Sequence, residues 1–165
     1  MTVTAAPSTT RTAVPVRVVI ADDHELIRAG LSLLLAAEPD LVVVGTASDG
    51  RSAVDLVAQQ QPDVVLMDLG MPVLDGLAAT REIARLAPGT RVLVLSCYEG
   101  EPFVANAVAA GAHGYLVKHV SSLDVVDAVR RTHGGEPVFS TDPPSSSGPA
   151  SPSRPPGSSK DPRAG

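Results

Sequence analysis

The chain has 165 residues, of which 44% are hydrophobic and only 2% aromatic, so Ala, Val and Leu must supply its core. That length is enough for one domain, and that composition favours helices packed on a buried sheet over an aromatic-rich sandwich. A formal net charge of -5 excludes a broad basic surface for nucleic acid, and the single cysteine, Cys97, excludes an internal disulfide or a thiolate metal cluster.

Three zones are predicted along the chain. Residues 1–14 are expected to form a flexible leader without a signal peptide, and residues 15–134 are expected to fold. Residues 135–165 are Pro/Ser-rich and are expected to be disordered, because they have almost nothing apolar to bury. No apolar run approaches the roughly 20 residues that span a bilayer, so we expect a soluble protein of the reducing cytoplasm.

Five short Val-rich runs in the folded zone predict five strands, each buried on both faces. They are residues 16–21, 41–46, 63–67, 91–95 and 114–117.

Segments with helical spacing alternate with the strands. Their apolar stripes are Leu26, Ile27, Leu31, Leu34 and Leu35; Val54, Leu56 and Val57; Leu77, Ile83 and Leu86; Phe103, Val104, Ala107 and Val108; and Leu123, Val126 and Val129. Asp49 and the pair Ser121 and Asp124 are predicted to cap helix starts. Strict alternation predicts a doubly wound, five-stranded parallel sheet, a (βα)5 flavodoxin-like fold with strand order 2-1-3-4-5.

Polar side chains follow four of the predicted strands. Asp22 and Asp23 follow the first strand, Asp68 the third, Ser96 the fourth and Lys118 the fifth. Since the predicted order makes the first and third strands neighbours, the three carboxylates should converge. Two carboxylates about 4 Å apart repel by roughly 4 kcal/mol at an effective dielectric near 20. Lys118 and a hard divalent cation such as Mg²⁺ would offset that repulsion.

Asp68 is the candidate nucleophile of this site. A carboxylate can attack phosphorus and form an aspartyl phosphate, with Mg²⁺ and Lys118 as cationic clamps and Ser96 as a hydrogen-bond donor. Taken one at a time, Asp68, Ser96 and Lys118 could be ordinary turn or surface residues, and the Asp22–Asp23 pair could cap a helix.

Three nearby side chains have simpler interpretations. His24 is interpreted as a first-turn surface residue rather than a ligand. Cys97 is interpreted as a small buried hydrophobe, because no catalytic base is evident beside it. Tyr115 is slightly better explained by packing than by function.

Four stretches, "ADDHELIRAGL", "VVLMDLGMPVLDGL", "VLVLS" and "GAHGYLVK", resemble the receiver domain of bacterial two-component response regulators, in particular the NarL/FixJ-like branch. The resemblance covers about 120 residues, and its motifs agree in order and spacing. It implies that Asp68 is the phosphoacceptor and that Asp23 ligates Mg²⁺ directly. It further implies that Asp22 acts on the metal through water and that the backbone carbonyl of Gly70 is another ligand.

The resemblance also assigns a switch. It implies that Ser96 and Tyr115 form the switch pair, that Lys118 pairs with the phosphoryl group, and that a sensor histidine kinase supplies that group. Phosphorylation would alter the surface formed by the fourth helix, fifth strand and fifth helix, which a partner kinase, a dimer mate or a separate effector would read. His119, where many receivers have proline, is usual in this branch.

One departure concerns the output. The branch normally continues into a helix-turn-helix domain, but residues 135–165 show neither helical periodicity nor a basic recognition helix. The sequence therefore does not support nucleic-acid binding or membrane association by this chain. The alternative is a DNA-binding regulator of the LuxR/NarL type that has lost its output domain through truncation or a frame shift.

Other functions on a similar sheet remain as alternatives. A phosphatase of the haloacid dehalogenase type needs an acid two positions after the nucleophile, where this chain has Gly70. A dinucleotide-binding domain needs a glycine-rich turn where this chain has Asp22 and Asp23. A phosphorylation-independent interaction module would not need the acidic set. We therefore expect a self-phosphorylating and self-dephosphorylating signalling module rather than an enzyme.

Overall fold

The computed structural model describes residues 13–139, in which six strands alternate with five helices. The strands are β1 Val16–Ala21, β2 Leu41–Ala47, β3 Val64–Met67, β4 Arg91–Ser96, β5 Gly114–Val117 and β6 Val138–Phe139. The helices are α1 Glu25–Ala36, α2 Gly50–Gln60, α3 Gly76–Leu86, α4 Glu101–Ala110 and α5 Ser122–His133. The five predicted strands are all present, with bounds within one residue of those expected.

The strands form one parallel sheet in the order β2-β1-β3-β4-β5-β6. The predicted doubly wound order of the first five strands is confirmed. Alternate residues of β1 face opposite sides of the sheet, since Val19 belongs to the core cluster that includes residues of α2, α3 and α4, whereas Val18 belongs to the cluster that includes residues of α1 and α5. A strand covered on both faces must be apolar at every position, which explains the uninterrupted Val-rich runs.

Strand β6 is a correction to the predicted boundary at residue 134. Helix α5 ends in a Schellman turn, in which Gly135 has φ +84° and the N–H of Glu136 bonds to the carbonyl of Arg131 at 2.9 Å. That turn brings the chain back to the sheet, where Val138 is buried beside β5. The described structure therefore continues past residue 134 as far as Phe139, while residues 1–12 of the predicted leader and residues 140–165 of the predicted tail lie outside the described residues.

Strand β2 is not buried on both faces as predicted. It lies at the edge of the sheet, where Val42 is 38% exposed and Thr46 is also exposed. An edge strand has a neighbour on one side only, so the helices cover it less completely.

The helix starts follow the predicted caps. The Asp49 carboxylate accepts from the backbone N–H of Ser52 at 2.8 Å, and the Ser121 hydroxyl accepts from that of Asp124 at 3.3 Å. The apolar stripes are less accurate at their margins. Leu26 is 87% exposed and Leu123 is 77% exposed, because each lies in the first turn of its helix on the side that faces away from the sheet. No helix within residues 13–139 is long and apolar enough to cross a membrane.

Candidate functional site

The candidate site lies beyond the carboxyl ends of β1, β3 and β5. Ala21 of β1 is in register with Met67 of β3, so the residues that follow them, Asp22 and Asp68, leave the sheet side by side. The backbone N–H of Asp68 donates to the carbonyl of Ala21 at 2.9 Å. Both carboxylates are nearly buried, at 2% and 6% exposure of the residue. The predicted convergence of these two acids is confirmed by their placement.

Lys118 joins the two buried acids. It follows β5, and its Nζ lies 2.6 Å from Oδ2 of Asp22 and 3.2 Å from Oδ1 of Asp68. Burial disfavours the charge of Lys118, but the hydrogen bond to Asp22 and the charges of Asp68 and Asp22 outweigh it and raise its pKa. Burial and the neighbouring Asp22 raise the pKa of Asp68, against the opposing effects of Lys118 and the Gly70 backbone N–H. One ammonium group thus does not fully compensate the acids around it.

The acidic cluster can hold a cation. Asp22, Asp23, His24 and Asp68 each offer a donor atom, and these atoms lie within 4.8 Å of one another. Three carboxylates against one ammonium leave two negative charges, which matches a divalent ion. Oxygen-rich, partly open sites suit Mg²⁺, which keeps several waters, and the Asp23 side chain is 32% exposed. The residues present therefore fit the predicted metal.

Two side chains hold the turn after β1. His24 is a surface residue, as predicted, with its side chain 65% exposed, yet its ring Nδ1 lies 3.1 Å from Asp22 and 3.0 Å from Asp23. Its backbone N–H donates to Oδ1 of Asp22 at 2.9 Å. Arg28 donates from Nη1 to the backbone carbonyl of Asp22 at 2.7 Å. Arg28 was not among the predicted site residues, and its position one helical turn after His24 was the only signal in the sequence.

The loop after Asp68 is held by close backbone contacts. A Cβ at Gly76 would lie 2.0 Å from the carbonyl oxygen of Asp68, so only glycine fits where α3 begins. Val73 has φ +67°, and the N–H of Leu74 bonds to the carbonyl of Pro72 at 2.8 Å, which makes a tight three-residue turn. Gly70 is exposed beside Asp68, and its role as a carbonyl ligand stays a prediction.

Ser96 is the last residue of β4 and Tyr115 lies within β5. Both are fully buried. The Tyr115 ring points into the sheet's α2–α3–α4 face, and burial raises the pKa of its hydroxyl. That hydroxyl donates to the backbone carbonyl of Tyr98 at 2.7 Å. Packing therefore accounts for the ring of Tyr115, whereas its hydroxyl makes a directed contact with the loop after β4.

The prediction for Cys97 was wrong. It was interpreted as buried, but it is exposed, because β4 ends at Ser96 and the next side chain already belongs to the surface loop. His119, the residue after Lys118, is also on the surface, with Nε2 3.1 Å from Oε1 of Glu99.

Comparison with known proteins identifies the family. Residues 18–130 match the family model described as the response regulator receiver domain. The chain is 42% identical over 115 residues to the transcriptional regulatory protein DegU of Brevibacillus brevis, and 41% identical over 122 residues to LiaR of Bacillus subtilis. These matches cover 70% and 74% of this chain but only 49% and 58% of the two relatives.

Solved structures agree. The LuxR-family response regulator of Aurantimonas sp. SI85-9A1 superposes with a TM-score of 0.72 and 32% identity, covering 75% of this chain and 89% of that one. The response regulator domain of Thermotoga maritima CheB gives a TM-score of 0.68 and 30% identity, covering 73% and 97%. The chain belongs to the response regulator receiver family, and its relatives are of the NarL/LuxR type.

Proposed function

We propose that this receiver domain accepts a phosphoryl group on Asp68 in a Mg²⁺-dependent reaction, with a sensor histidine kinase or a small acyl phosphate as donor. The observation that carries the proposal is the nearly buried Asp68 carboxylate, which adjoins Asp22, Asp23 and the ammonium of Lys118. A receiver domain is a phospho-accepting module of two-component signalling and not a classical enzyme.

The transfer is a displacement at phosphorus. An Oδ atom of Asp68 attacks phosphorus and forms a new P–O bond, while the bond from phosphorus to the donor's nitrogen or oxygen breaks and the donor keeps that electron pair. The product is an acyl phosphate, and attack by water restores the carboxylate and releases inorganic phosphate. Lys118 lies close enough to Asp68 to pair with a phosphoryl oxygen there.

The metal would be held by this chain's own oxygens. Asp23 and Asp68 are the direct carboxylate ligands in this proposal, Asp22 acts through water, and Gly70 contributes its backbone carbonyl. When bound, Mg²⁺ supplies positive charge to the equatorial oxygens of the phosphoryl group. The hydrogen bond from His24 and the contact with Lys118 occupy Asp22, which supports its indirect role.

Ser96 and Tyr115 are proposed to act as the switch pair. The Ser96 hydroxyl would turn to donate to the phosphoryl group, and Tyr115 would fix its ring in response. Both are fully buried on the two strands that follow β3 in the sheet, which supports a path from Asp68 to them through the protein interior.

The acidic set disfavours the alternative functions. Gly70 stands two positions after Asp68, so a phosphatase of the haloacid dehalogenase type would lack its proton donor. A phosphorylation-independent interaction module would have no use for three converging carboxylates, which cost free energy when they are unmetalated.

The output is proposed to pass through the surface formed by α4, β5 and α5, to a second copy of the chain or to a separate effector. The relatives DegU and LiaR are named transcriptional regulatory proteins, but this chain matches only about half of their length. Control of transcription by the protein to which this domain belongs is the corresponding proposal.

The proposal is tested by incubating the protein with acetyl phosphate and Mg²⁺ and measuring its intact mass. The wild type should gain one phosphoryl group, and the gain should vanish with EDTA or in Asp68→Asn. Asp75→Asn is the matched control, since Asp75 is an exposed carboxylate of the same loop and asparagine also caps helices. An equal gain in Asp68→Asn, or no gain in the wild type, would exclude the proposed function.

A further inference from the structure

His24 lies at the start of α1, and its ring is turned toward the acids of the candidate site. It is the N-cap residue of that helix, yet its side chain makes no capping hydrogen bond. Its backbone N–H donates to Oδ1 of Asp22 at 2.9 Å, which holds the turn after β1. Its ring Nδ1 lies 3.1 Å from Oδ1 of Asp22 and 3.0 Å from Oδ1 of Asp23. The imidazole is therefore directed to the carboxylates rather than to the backbone of the helix.

The imidazole and the carboxylates surround one point. A ring nitrogen of His24 and one oxygen from each of Asp22, Asp23 and Asp68 lie within 4.8 Å of one another. Two adjacent ligands of a six-coordinate ion, each bound at about 2.1 Å, are themselves about 3 Å apart. The distance between Nδ1 and the Asp23 oxygen, 3.0 Å, has that value. One ion can therefore bind both atoms with little movement of either.

The position of His24 at the surface is compatible with metal binding. Its side chain is 65% exposed, whereas that of Asp22 is 3% exposed. A neutral imidazole that gives the lone pair of Nδ1 to a metal carries its proton on Nε2, which needs a hydrogen-bond partner. In an exposed ring, water supplies that partner, so binding leaves no unpaired nitrogen.

A nitrogen ligand changes which ions a site prefers. Mg²⁺ is a hard ion that takes oxygen ligands and retains several waters, so it gains little from an imidazole. Imidazole suits borderline ions such as Co²⁺, Ni²⁺ and Zn²⁺. A site of three carboxylates and one imidazole should therefore favour such ions over Mg²⁺ more strongly than the carboxylates alone would.

We propose that His24 is a further ligand of the metal site, binding through Nδ1 beside Asp23, and that it extends the ions the site accepts from Mg²⁺ to borderline transition ions such as Co²⁺. With Mg²⁺, a water occupies the position of the imidazole, and with Co²⁺ the imidazole replaces that water. This inference rests on the proposed metal site at Asp68.

Competition between the two ions measures the contribution of His24. Isothermal titration of the untagged protein with Co²⁺, in the absence and in the presence of Mg²⁺, gives the preference for Co²⁺ over Mg²⁺. In His24→Phe that preference should fall roughly tenfold or more, because the nitrogen ligand is lost while the oxygens remain. The substitution removes no capping hydrogen bond, so α1 should keep its start.

His119→Gln is the matched control. His119 is also an exposed histidine beside a carboxylate, with Nε2 3.1 Å from Oε1 of Glu99, but it lies outside the acidic cluster. This variant should keep the wild-type preference for Co²⁺ over Mg²⁺.

Proton NMR of the Co²⁺-loaded protein detects the metal–nitrogen bond itself. Unpaired spin density passes through such a bond, so the ring protons of one histidine should move far outside the usual range of chemical shifts. Deuteration of the histidine rings identifies these resonances. They should be absent in His24→Phe and present in His119→Gln.

Two kinds of failure can be told apart. An equal preference for Co²⁺ in wild type and His24→Phe, or a Co²⁺-loaded wild type without shifted histidine resonances, would refute His24 as a ligand. The proposed phosphorylation of Asp68 would then stand, because the gain in mass with acetyl phosphate and Mg²⁺ reports it separately. A wild type that binds neither ion would refute the metal site, and with it both the inference and the Mg²⁺-dependent function.

Discussion

At the scale of single residues, Lys118 is the group whose removal should affect phosphorylation most specifically. Its ammonium contacts both Asp22 and Asp68, and an equivalent contact to a phosphoryl oxygen would stabilise charge that develops during transfer. Lys118→Ala should slow phosphorylation by acetyl phosphate roughly tenfold or more, measured as the rate of mass gain. Arg51→Ala, which removes an exposed cation of α2 that pairs with Glu82 of α3, should leave the rate unchanged. Equal rates in wild type and Lys118→Ala would contradict the role of the lysine.

In the absence of a metal ion, Asp68 should destabilise the fold at neutral pH. Its pKa is raised by burial and by Asp22, so the folded state binds its proton more tightly than the unfolded state does. For a carboxyl with a raised pKa, the contribution to stability is greatest below the ordinary carboxyl pKa and falls as the pH rises through the folded value. Without Mg²⁺, Asp68→Asn should therefore melt at a higher temperature than wild type at pH 7.

The same reasoning gives the pH dependence. The difference in melting temperature between Asp68→Asn and wild type should shrink as the pH falls from the raised pKa of folded Asp68 to the ordinary carboxyl pKa, and it should level off below that, because Asp68 is then protonated in both states. Thermal unfolding in EDTA across that range measures it. A wild type more stable than Asp68→Asn at pH 7 would show that Lys118 outweighs burial and repulsion.

The sequence predicted that Asp22, Asp68 and Lys118 lie together, because each follows a predicted strand and parallel strands bring their carboxyl ends to one edge of the sheet. It did not predict the contacts of Arg28 or Tyr98, nor the exposure of Cys97. Those depend on where a loop turns its side chains after the strand ends, and no periodic pattern records that direction.

At the scale of elements, the start of α3 positions the loop that carries Asp68. Gly76→Ala should destabilise the fold by about 2 kcal/mol, because the added Cβ would meet the Asp68 carbonyl at a distance that requires a backbone shift. Urea unfolding measures the change, and the rate of mass gain with acetyl phosphate should fall as well. Gly89→Ala is the control, since a Cβ there meets nothing within 4 Å. Similar stabilities of the two variants would contradict the close approach.

At the end of α2, by contrast, a substitution to glycine is expected to stabilise the fold. Gln61, the residue after that helix, adopts the left-handed conformation with φ 45° and ψ 59°, which costs an L residue on the order of 1 kcal/mol relative to glycine. Gln61→Gly should therefore raise the free energy of unfolding by about 1 kcal/mol, whereas Gln61→Ala should not raise it. A lower stability of Gln61→Gly, again measured in urea, would mean that the polar side chain contributes more than the backbone strain costs.

The presence of each of the first five strands and of the five helices was predictable from the sequence. Which of their faces are buried was only partly predictable. The runs that became β1, β3 and β5 are apolar at consecutive positions because both faces of the sheet are covered. Helix margins such as Leu26 and the two-residue β6 were not predictable. A two-residue strand has too few positions to show a period, and its formation depends on the turn after α5.

At the scale of the whole molecule, the sheet joins the proposed phosphorylation site to the surface that would report it. Asp68 leaves β3, Ser96 ends β4, and Tyr115 lies on β5, so the three neighbouring strands carry the proposed acceptor and both residues of the proposed switch pair. The order of strands was predictable from their alternation with helices. Which face of α4 stays exposed was not, because that helix has apolar residues on more than one side.

Chemical localisation of the phosphoryl group can establish whether Asp68 is the acceptor. Borohydride reduces an acyl phosphate to an alcohol and releases phosphate, which converts a phosphorylated aspartate into homoserine, whereas a free carboxylate does not react. After treatment with acetyl phosphate and Mg²⁺, reduction and peptide mapping by mass spectrometry should show homoserine at position 68 and aspartate at positions 22 and 23. Homoserine at another aspartate, or none at position 68 in protein whose intact mass shows an added phosphoryl group, would contradict the account.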